Sequence, residues 1–253
     1  MSNNDRFSAD AGVWDSNPFV HIMSDKAWEA ILKFAPIFDT PRKPNVLEVG
    51  CGTGLLSLQV APKAGQLVVI DAAEGMINAL NLKLQKADAP RNIVPIHVLL
   101  EDPEDCCLPP ADPALPEGPR LKFDLIVSHL VLHHILDLEG MLKTMLGCLV
   151  TGGTVALTDF EDFGPEARRF HPESKMAGVE RHGINRVWMA SLMQSVGFVN
   201  VNVEVGWTAR KTVEKYPGEF DKVDVTNRDR GTSIEIPFVI CIGQRPGIDS
   251  NSA

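Results

Sequence analysis

The chain has 253 residues, of which 44% are hydrophobic and 23% are charged, and its formal net charge at pH 7 is −9. This composition is typical of a globular protein with a full apolar core, and the length fits one α/β domain. The acidic balance argues against nucleic acid and anionic membranes as partners. The five cysteines lack C-x-x-C spacing, so we expect reduced thiols, no disulfide framework and no metal site.

The N-terminal segment, residues 1–40, precedes the first predicted strand. Its opening residues, MSNNDRFSAD, lack the apolar core of a signal peptide, and the chain has no apolar run of about eighteen residues. We therefore expect a cytoplasmic protein without a membrane span. Apolar periodicity predicts a helix from about Asp25 to Phe38, closed by prolines.

A glycine-rich turn follows the first strand. The apolar run VLEV (46–49) leads into Gly50, Gly52 and Gly54, and helical periodicity then resumes. Glycines let the backbone turn sharply and approach a ligand closely. A second apolar run ends in Asp71, where a carboxylate can accept both hydroxyl protons of a ribose. This pattern predicts a site for an adenosine-containing cofactor.

Strands and helices alternate through the rest of the chain. Such alternation predicts an α/β, doubly wound and mostly parallel sheet. We expect one domain, 1–253, with a cofactor-binding core at 45–205 and an insertion at 206–235 between the last two strands. The predicted helices are 75–87 and 138–149, and the later strands are 93–100, 123–128, 154–158, 199–205 and 236–242.

The glycine spacing favours one class of cofactor. Dinucleotide-binding turns follow G-x-G-x-x-G, whereas Gly54 comes one residue earlier here and is followed by two leucines. Glu48 places an acid before the turn, which suits a cation better than a phosphate. The pattern formed by Glu48, Gly50, Gly52 and Gly54 resembles motif I of class I S-adenosylmethionine-dependent methyltransferases. A nicotinamide-dependent dehydrogenase fits this spacing poorly.

The resemblance extends over residues 45–205. The block FDLIVSHLVLHHI (123–135) is similar to the fourth-strand motif of these methyltransferases, and LVTGGTVALTDF (149–160) is similar to the strand that follows. Thr151 stands where the family usually has proline. The chain looks most like the type 11 and 12 small-molecule methyltransferases. The resemblance implies a Rossmann-like methyltransferase fold with seven strands, the last one antiparallel.

The resemblance also implies a set of cofactor-binding residues. Asp71 would bind the ribose, and Asp102, in preference to Glu101, would bind the adenine amino group. Because residues 1–40 form a helical lid in many similar proteins, Trp14 would close over S-adenosyl-L-methionine, or else it packs in the core. Glu48 completes the expected site. The remaining positions are Gly50, Cys51, Gly52 and Gly54 in the turn, Ala72 or Met76 beside the adenine, and Ser128 or His129 near the methionine amino group.

Methyl transfer requires alignment of the reacting atoms and, for some acceptors, removal of a proton. We expect His182, His133 and Asp159 as catalytic residues. His182 lies in a segment that covers the substrate in similar proteins and is the leading candidate. Other candidates for proton acceptor are His129, His134 and Glu161, and at least one of the adjacent histidines 133 and 134 is expected to be structural.

Two long segments, 160–183 and 206–235, are the expected specificity elements because they follow strands on the catalytic side. The predicted activity is in-line transfer of a methyl group to a small-molecule acceptor, whose reacting O, N or S atom stays open. The alternatives are a protein methyltransferase and a non-catalytic S-adenosylmethionine-binding regulatory protein. The sequence leaves the oligomeric state open.

Overall fold

A seven-stranded sheet forms the centre of the protein. The computed structural model describes residues 3–221 and 230–247. The strand order is β3-β2-β1-β4-β5-β7-β6, and β7 alone runs antiparallel to the other six strands. This arrangement confirms the predicted fold. The strands are β1 (Val46–Val49), β2 (Leu67–Asp71), β3 (Ile93–His97), β4 (Phe123–His129), β5 (Leu149–Phe160), β6 (Val199–Val213) and β7 (Thr232–Gln244).

Helices cover both faces of the sheet. Alternate residues of β1 enter different apolar layers: Leu47 packs with the layer under the later helices, and Val46 packs with the opposite layer. Burial on both faces explains the near-continuous apolar runs of the parallel strands. The helices are α1 (Asn3–Trp14), α2 (Pro18–Phe34), α3 (Leu55–Val60), α4 (Glu74–Leu84), α5 (Leu138–Cys148) and α6 (Arg186–Val196). Across the described residues, no helix has the length and apolarity that a membrane crossing requires.

The strand order reverses between β1 and β4, which are adjacent and parallel. Ligands of doubly wound sheets bind at the carboxyl ends of the strands beside such a reversal. The turn after β1 and the ends of β2, β4 and β5 therefore meet at one edge of the sheet. This edge contains most of the predicted site residues.

The N-terminal helices differ from the predicted boundaries. Helix α2 begins at Pro18, because the Asn17 side chain accepts a hydrogen bond from the Phe19 amide and proline suits the first helical position. It ends at Phe34, before Pro36, and a short 3₁₀ turn occupies Pro36–Asp39. Residues 3–14 form a helix of their own, α1.

The last two strands are longer than predicted. Strand β6 continues to Val213 and β7 begins at Thr232, so their antiparallel ladder occupies much of the predicted insertion. The added part of β6 alternates exposed and half-buried residues, a period-two pattern that its many polar residues conceal in the sequence. Residues 222–229 of the predicted insertion lie outside the described residues.

Candidate active site

A cavity of about 900 Å³ opens at the carboxyl edge of the sheet. The turn after β1 and the end of β2 form one half, and β6 with the segment after β5 forms the other. Helix α1 lies across both halves. Ten predicted cofactor residues line the cavity: Trp14, Glu48, Gly50, Cys51, Gly52, Asp71, Ala72, Met76, Glu101 and His129.

The glycines of the turn adopt left-handed backbone conformations. Gly50, Gly52 and Gly54 have φ angles of 72°, 54° and 84°, a region that other residues rarely occupy. A Cβ on Gly50 would clash with Val131, and one on Gly54 would clash with Leu80. Gly54 lies outside the cavity lining and precedes α3, so its role is to set the angle between turn and helix.

Asp71 connects the turn to the end of β2. Its Oδ2 accepts a hydrogen bond of 2.8 Å from the Gly52 amide, and its Oδ1 accepts one of 2.8 Å from the Ala73 amide. Burial raises the pKa of this carboxyl despite both bonds. The two amides fix the carboxyl at the cavity wall, where it can accept hydroxyl protons from a ligand.

Glu48 is a buried acid at the bottom of the cavity, with 2% of its surface exposed. The Ser57 hydroxyl donates a 2.6 Å hydrogen bond to its Oε2. Burial, with a smaller contribution from the nearby Asp71, raises the pKa of Glu48 to about 8. The carboxyl is therefore mostly protonated at pH 7 in the free protein, and the expected negative charge would develop when a cation binds beside it.

Helix α1 closes the cavity from the N-terminal side. Trp14 lines the cavity and packs in a small apolar cluster with Met76. Asp15, which follows the helix, accepts a 2.6 Å hydrogen bond from the Thr53 hydroxyl and pairs with Lys83 at 2.5 Å. Trp14 therefore makes a packing contact at the cavity wall, and its closure over a ligand stays a prediction.

A buried His133–Asp159 pair lies deep in the other half of the cavity. Imidazole Nδ1 of His133 donates to Oδ1 and Oδ2 of Asp159 at 2.8 and 2.9 Å. The backbone amides of His133 and Phe160 also donate to this carboxylate, at 3.1 and 2.8 Å. Because a carboxylate only accepts, the imidazole proton resides on Nδ1. In the neutral form of this ring Nε2 is the acceptor, and this atom is buried without a hydrogen-bond partner in the described structure.

Three imidazoles, His133, His134 and His171, form what we call the histidine cluster. Each offers one ring nitrogen within 4.8 Å of the other two, a spacing that would allow a metal ion, and the expectation of no metal site stays a prediction. His134 Nδ1 donates to the Gly178 carbonyl at 2.7 Å. Burial lowers the pKa of His134 to about 4, so this ring is neutral at pH 7.

His129 is also neutral at pH 7, because burial lowers its pKa to about 4. Its Nδ1 lies 2.9 Å from the Thr158 hydroxyl oxygen, and that hydroxyl donates to the Ser128 carbonyl. Ser128 itself is buried and donates to the Val49 carbonyl at 2.8 Å, so it joins β4 to β1 and does not line the cavity. Of these two predicted positions, His129 is the one at the cavity wall.

Two more of the predicted site residues, His182 and Asp102, lie outside the cavity lining in the structure. His182 is exposed and absent from the cavity lining, because Arg181 beside it points inward and donates to the Leu132 and Ile135 carbonyls at 2.6 and 2.5 Å. Asp102 is exposed and accepts a 2.8 Å hydrogen bond from the Glu104 amide. Glu101 lines the cavity in its place.

Sequence reasoning missed several residues of the cavity. They belong to the two predicted specificity segments but had no distinguishing pattern of their own. The missed residues are Arg169, His171 and Lys175 after β5, and Lys211 on β6. A charged or aromatic residue in a long segment signals a functional site only when the fold shows where it points.

Comparisons with known proteins agree with this architecture. An uncharacterized methyltransferase of Schizosaccharomyces pombe is 29% identical over 141 residues, which cover 55% of this chain and 47% of that protein. A malonyl-(acyl-carrier protein) O-methyltransferase of Magnetococcus marinus is 29% identical over 127 residues, covering 49% of this chain and 41% of that protein. The chain thus spans about half the length of these curated relatives.

The fold is shared with a solved structure at low sequence identity. Phosphoethanolamine N-methyltransferase 2 of Haemonchus contortus, in complex with phosphomonomethylethanolamine and S-adenosylhomocysteine, superimposes with a TM-score of 0.58 at 14% identity. The match covers 88% of this chain and 52% of that one. The family described as methyltransferase domain matches residues 19–203, which include the glycine turn, Asp71 and the histidine cluster. The chain belongs to this methyltransferase family.

Proposed function

We propose that the protein binds S-adenosyl-L-methionine and transfers its methyl group to a small-molecule acceptor. One observation carries the proposal: a single cavity of about 900 Å³ extends from Gly52 and Asp71 to the imidazole of His133. This volume lies within the usual range of small-ligand sites. The cofactor supplies a methyl group already activated by a positively charged sulfur, so the protein needs only to align the reactants, exclude water and accept a proton.

The first half of the cavity fits the cofactor. Asp71 is held by two amides and faces the cavity, where it would accept the ribose hydroxyl protons. Glu48 is placed to ionise beside a cationic sulfonium or ammonium group. Met76 and Trp14 provide apolar surface for an adenine ring, and Glu101 lies at the wall where its carboxylate can accept from an exocyclic amine.

The second half fits a small acceptor. Its wall includes Phe19 and Phe170, and Phe170 stacks on Phe160 with ring centroids 4.0 Å apart. Helix α1 covers this half as well, since Phe7 contacts His134 with ring centroids 5.1 Å apart. Coverage by a helix and an aromatic wall favour a small molecule over a protein side chain that enters from bulk solvent.

His133 is the proposed general base, and Asp159 is the residue that positions it. The Asp159 carboxylate holds the proton on Nδ1, so Nε2 can accept the proton of the acceptor's hydroxyl, amine or thiol group. That proton leaves as the acceptor atom bonds the methyl carbon. The relatives include O- and N-methyltransferases by name, which supports this reaction without fixing the acceptor atom.

Calorimetric titration of the purified protein tests the cofactor assignment. We expect saturable binding of S-adenosyl-L-methionine and of S-adenosylhomocysteine at micromolar concentrations, and no heat from nicotinamide dinucleotides. Binding of a nicotinamide dinucleotide in place of both ligands would overturn the proposal. Product formation from a small acceptor then separates an enzyme from a regulatory protein that only binds the cofactor.

The pH dependence of cofactor binding should report on Glu48. Because the free protein has Glu48 protonated up to about pH 8, binding of a cation that favours the carboxylate must release a proton. We expect the affinity for S-adenosyl-L-methionine to rise between about pH 6 and 8, by at most about tenfold per pH unit. The variant Glu48→Gln should bind more weakly at pH 8 and lose most of this dependence. A parallel pH dependence in wild type and variant would contradict the assignment.

A further inference from the structure

Lys211 places a cation in the acceptor half of the cavity. Its Nζ lies 3.6 Å from the ring centroid of Phe170 and 4.7 Å from that of Phe19. Within residues 3–221 and 230–247, no acidic side chain or hydrogen-bond acceptor contacts this nitrogen. Burial, together with the charge of Lys175, lowers the pKa of Lys211 to about 7. A cation in such surroundings is costly unless an anion joins it.

His171 provides a neutral polar group near Lys211. Its ring centroid lies 4.9 Å from that of Phe170 and 5.0 Å from that of His133. Burial and then the neighbouring positive groups, Lys211 among them, lower the pKa of His171 far below its usual value. A neutral imidazole keeps one N–H donor, and neither ring nitrogen of His171 has a hydrogen-bond partner in the described part of the chain.

The local charge favours an anion over a metal cation. Lys211 lies against the Phe170 ring, and Arg6 lies against the ring of Phe7, which contacts His134, so two cations flank the histidine cluster. The acids of the cavity wall on this side already have partners. Asp10 pairs with Lys175 at 3.0 Å, and Glu214 accepts the backbone amides of residues 173 and 220 at 2.8 and 2.9 Å.

We propose that Lys211 and His171 form a subsite for an acidic group of the methyl acceptor, a carboxylate or a phosphate. This inference rests on the proposed function. The Phe170 ring lies 3.6 Å from Lys211 Nζ, and its centroid lies 6.3 Å from that of His133. Lys211, His171 and His133 line the same cavity, so one small acceptor in it can contact all three residues. Its acidic group binds Lys211 and His171, and its reacting atom lies on the side of the cavity that His133 lines.

Small anions test the subsite without knowledge of the acceptor. Acetate and inorganic phosphate would be titrated into the protein saturated with S-adenosylhomocysteine, at constant ionic strength maintained with chloride. The histidine ring resonances would be followed by NMR, with His171→Gln used for assignment. Acetamide serves as the neutral match for acetate. The variants are Lys211→Met, which removes the charge at similar length, and Lys211→Arg, which retains it.

We expect acetate or phosphate to shift the His171 resonances saturably in the millimolar range, whereas acetamide does not. Affinity should fall at least about tenfold in Lys211→Met, which is about 1.4 kcal/mol, and remain within about threefold in Lys211→Arg. A response to acetate alone assigns a carboxylate, and a response to phosphate alone assigns a phosphate.

Three results would overturn the subsite. They are no saturable shift with either anion at 100 mM, equal affinity in Lys211→Met, and tight Zn²⁺ binding by the histidine cluster that the anions do not affect. Binding of S-adenosylhomocysteine is measured first in every variant. Its absence from the wild type would refute the proposed function itself, whereas its presence without anion binding refutes only this inference.

Discussion

Replacing Asp71 with alanine should weaken S-adenosyl-L-methionine binding about 100-fold or more. The carboxylate accepts hydrogen bonds from two backbone amides, and it would also accept the ribose hydroxyl protons. Hydrogen bonds to a charged group contribute about 1.5–3 kcal/mol each, and about 2.7 kcal/mol corresponds to 100-fold in affinity. Asp71→Asn keeps one acceptor oxygen and should lose about tenfold. Calorimetry measures both effects.

The matched control for Asp71 is Asp102→Asn. Asp102 is also an acid that follows a strand, but it is exposed and lies outside the cavity lining. We expect its affinity for the cofactor to stay within about twofold of wild type, since surface substitutions have small effects. Wild-type affinity in Asp71→Ala would contradict the proposed ribose site. A loss in Asp102→Asn as large as that in Asp71→Ala would mean that a residue outside the cavity lining affects the affinity as strongly as Asp71, which would also contradict the assigned site.

His133→Asn should reduce turnover by about 100- to 10,000-fold, the usual contribution of a general base. Asparagine can still donate an amide hydrogen to Asp159, so the buried carboxylate retains a partner, but nothing replaces Nε2 as proton acceptor. The affinity for S-adenosylhomocysteine should remain within about threefold, because His133 lies in the acceptor half. The loss should therefore appear in kcat with the first small acceptor that yields product.

His182→Ala is the control for the loss of a histidine. The side chain is exposed and does not line the cavity, so turnover should stay within about twofold of wild type. If His133→Asn retains turnover within about threefold of wild type, His133 is not a general base, and the protein acts only by aligning the reactants. A large loss in His182→Ala would restore the role that the sequence assigned to it.

The cofactor half of the site could be predicted because it is local. Strands β1 and β2 are adjacent and parallel, and Val49 pairs with Ile70, so the residues that follow each strand must meet. The glycine turn and Asp71 are joined by one hydrogen bond between Gly52 and Asp71. Both partners of this contact therefore lie within one stretch of about twenty-five residues, and the sequence alone identifies them.

The acceptor half depends on longer-range geometry. His133 and Asp159 were each expected to be catalytic, but their pairing follows from the register of β4 and β5, in which His129 lies beside Thr158. The place of Lys211 at the cavity could not be predicted, because β6 continues beyond its apolar part into polar residues. The exposure of His182 was likewise not predictable, because it follows from the neighbouring Arg181, which turns inward and bonds the Leu132 carbonyl.

Following a labelled methyl group tests the central claim most directly. The purified protein would be incubated with methyl-labelled S-adenosyl-L-methionine and a cell extract depleted of its own methyltransferase activity by heat. The products would then be separated by size, with His133→Asn as the control. We expect label to appear in the small-molecule fraction with wild type and to fall about 100-fold or more with the variant. Label in protein or nucleic acid, and none in the small-molecule fraction, would contradict a small-molecule methyltransferase.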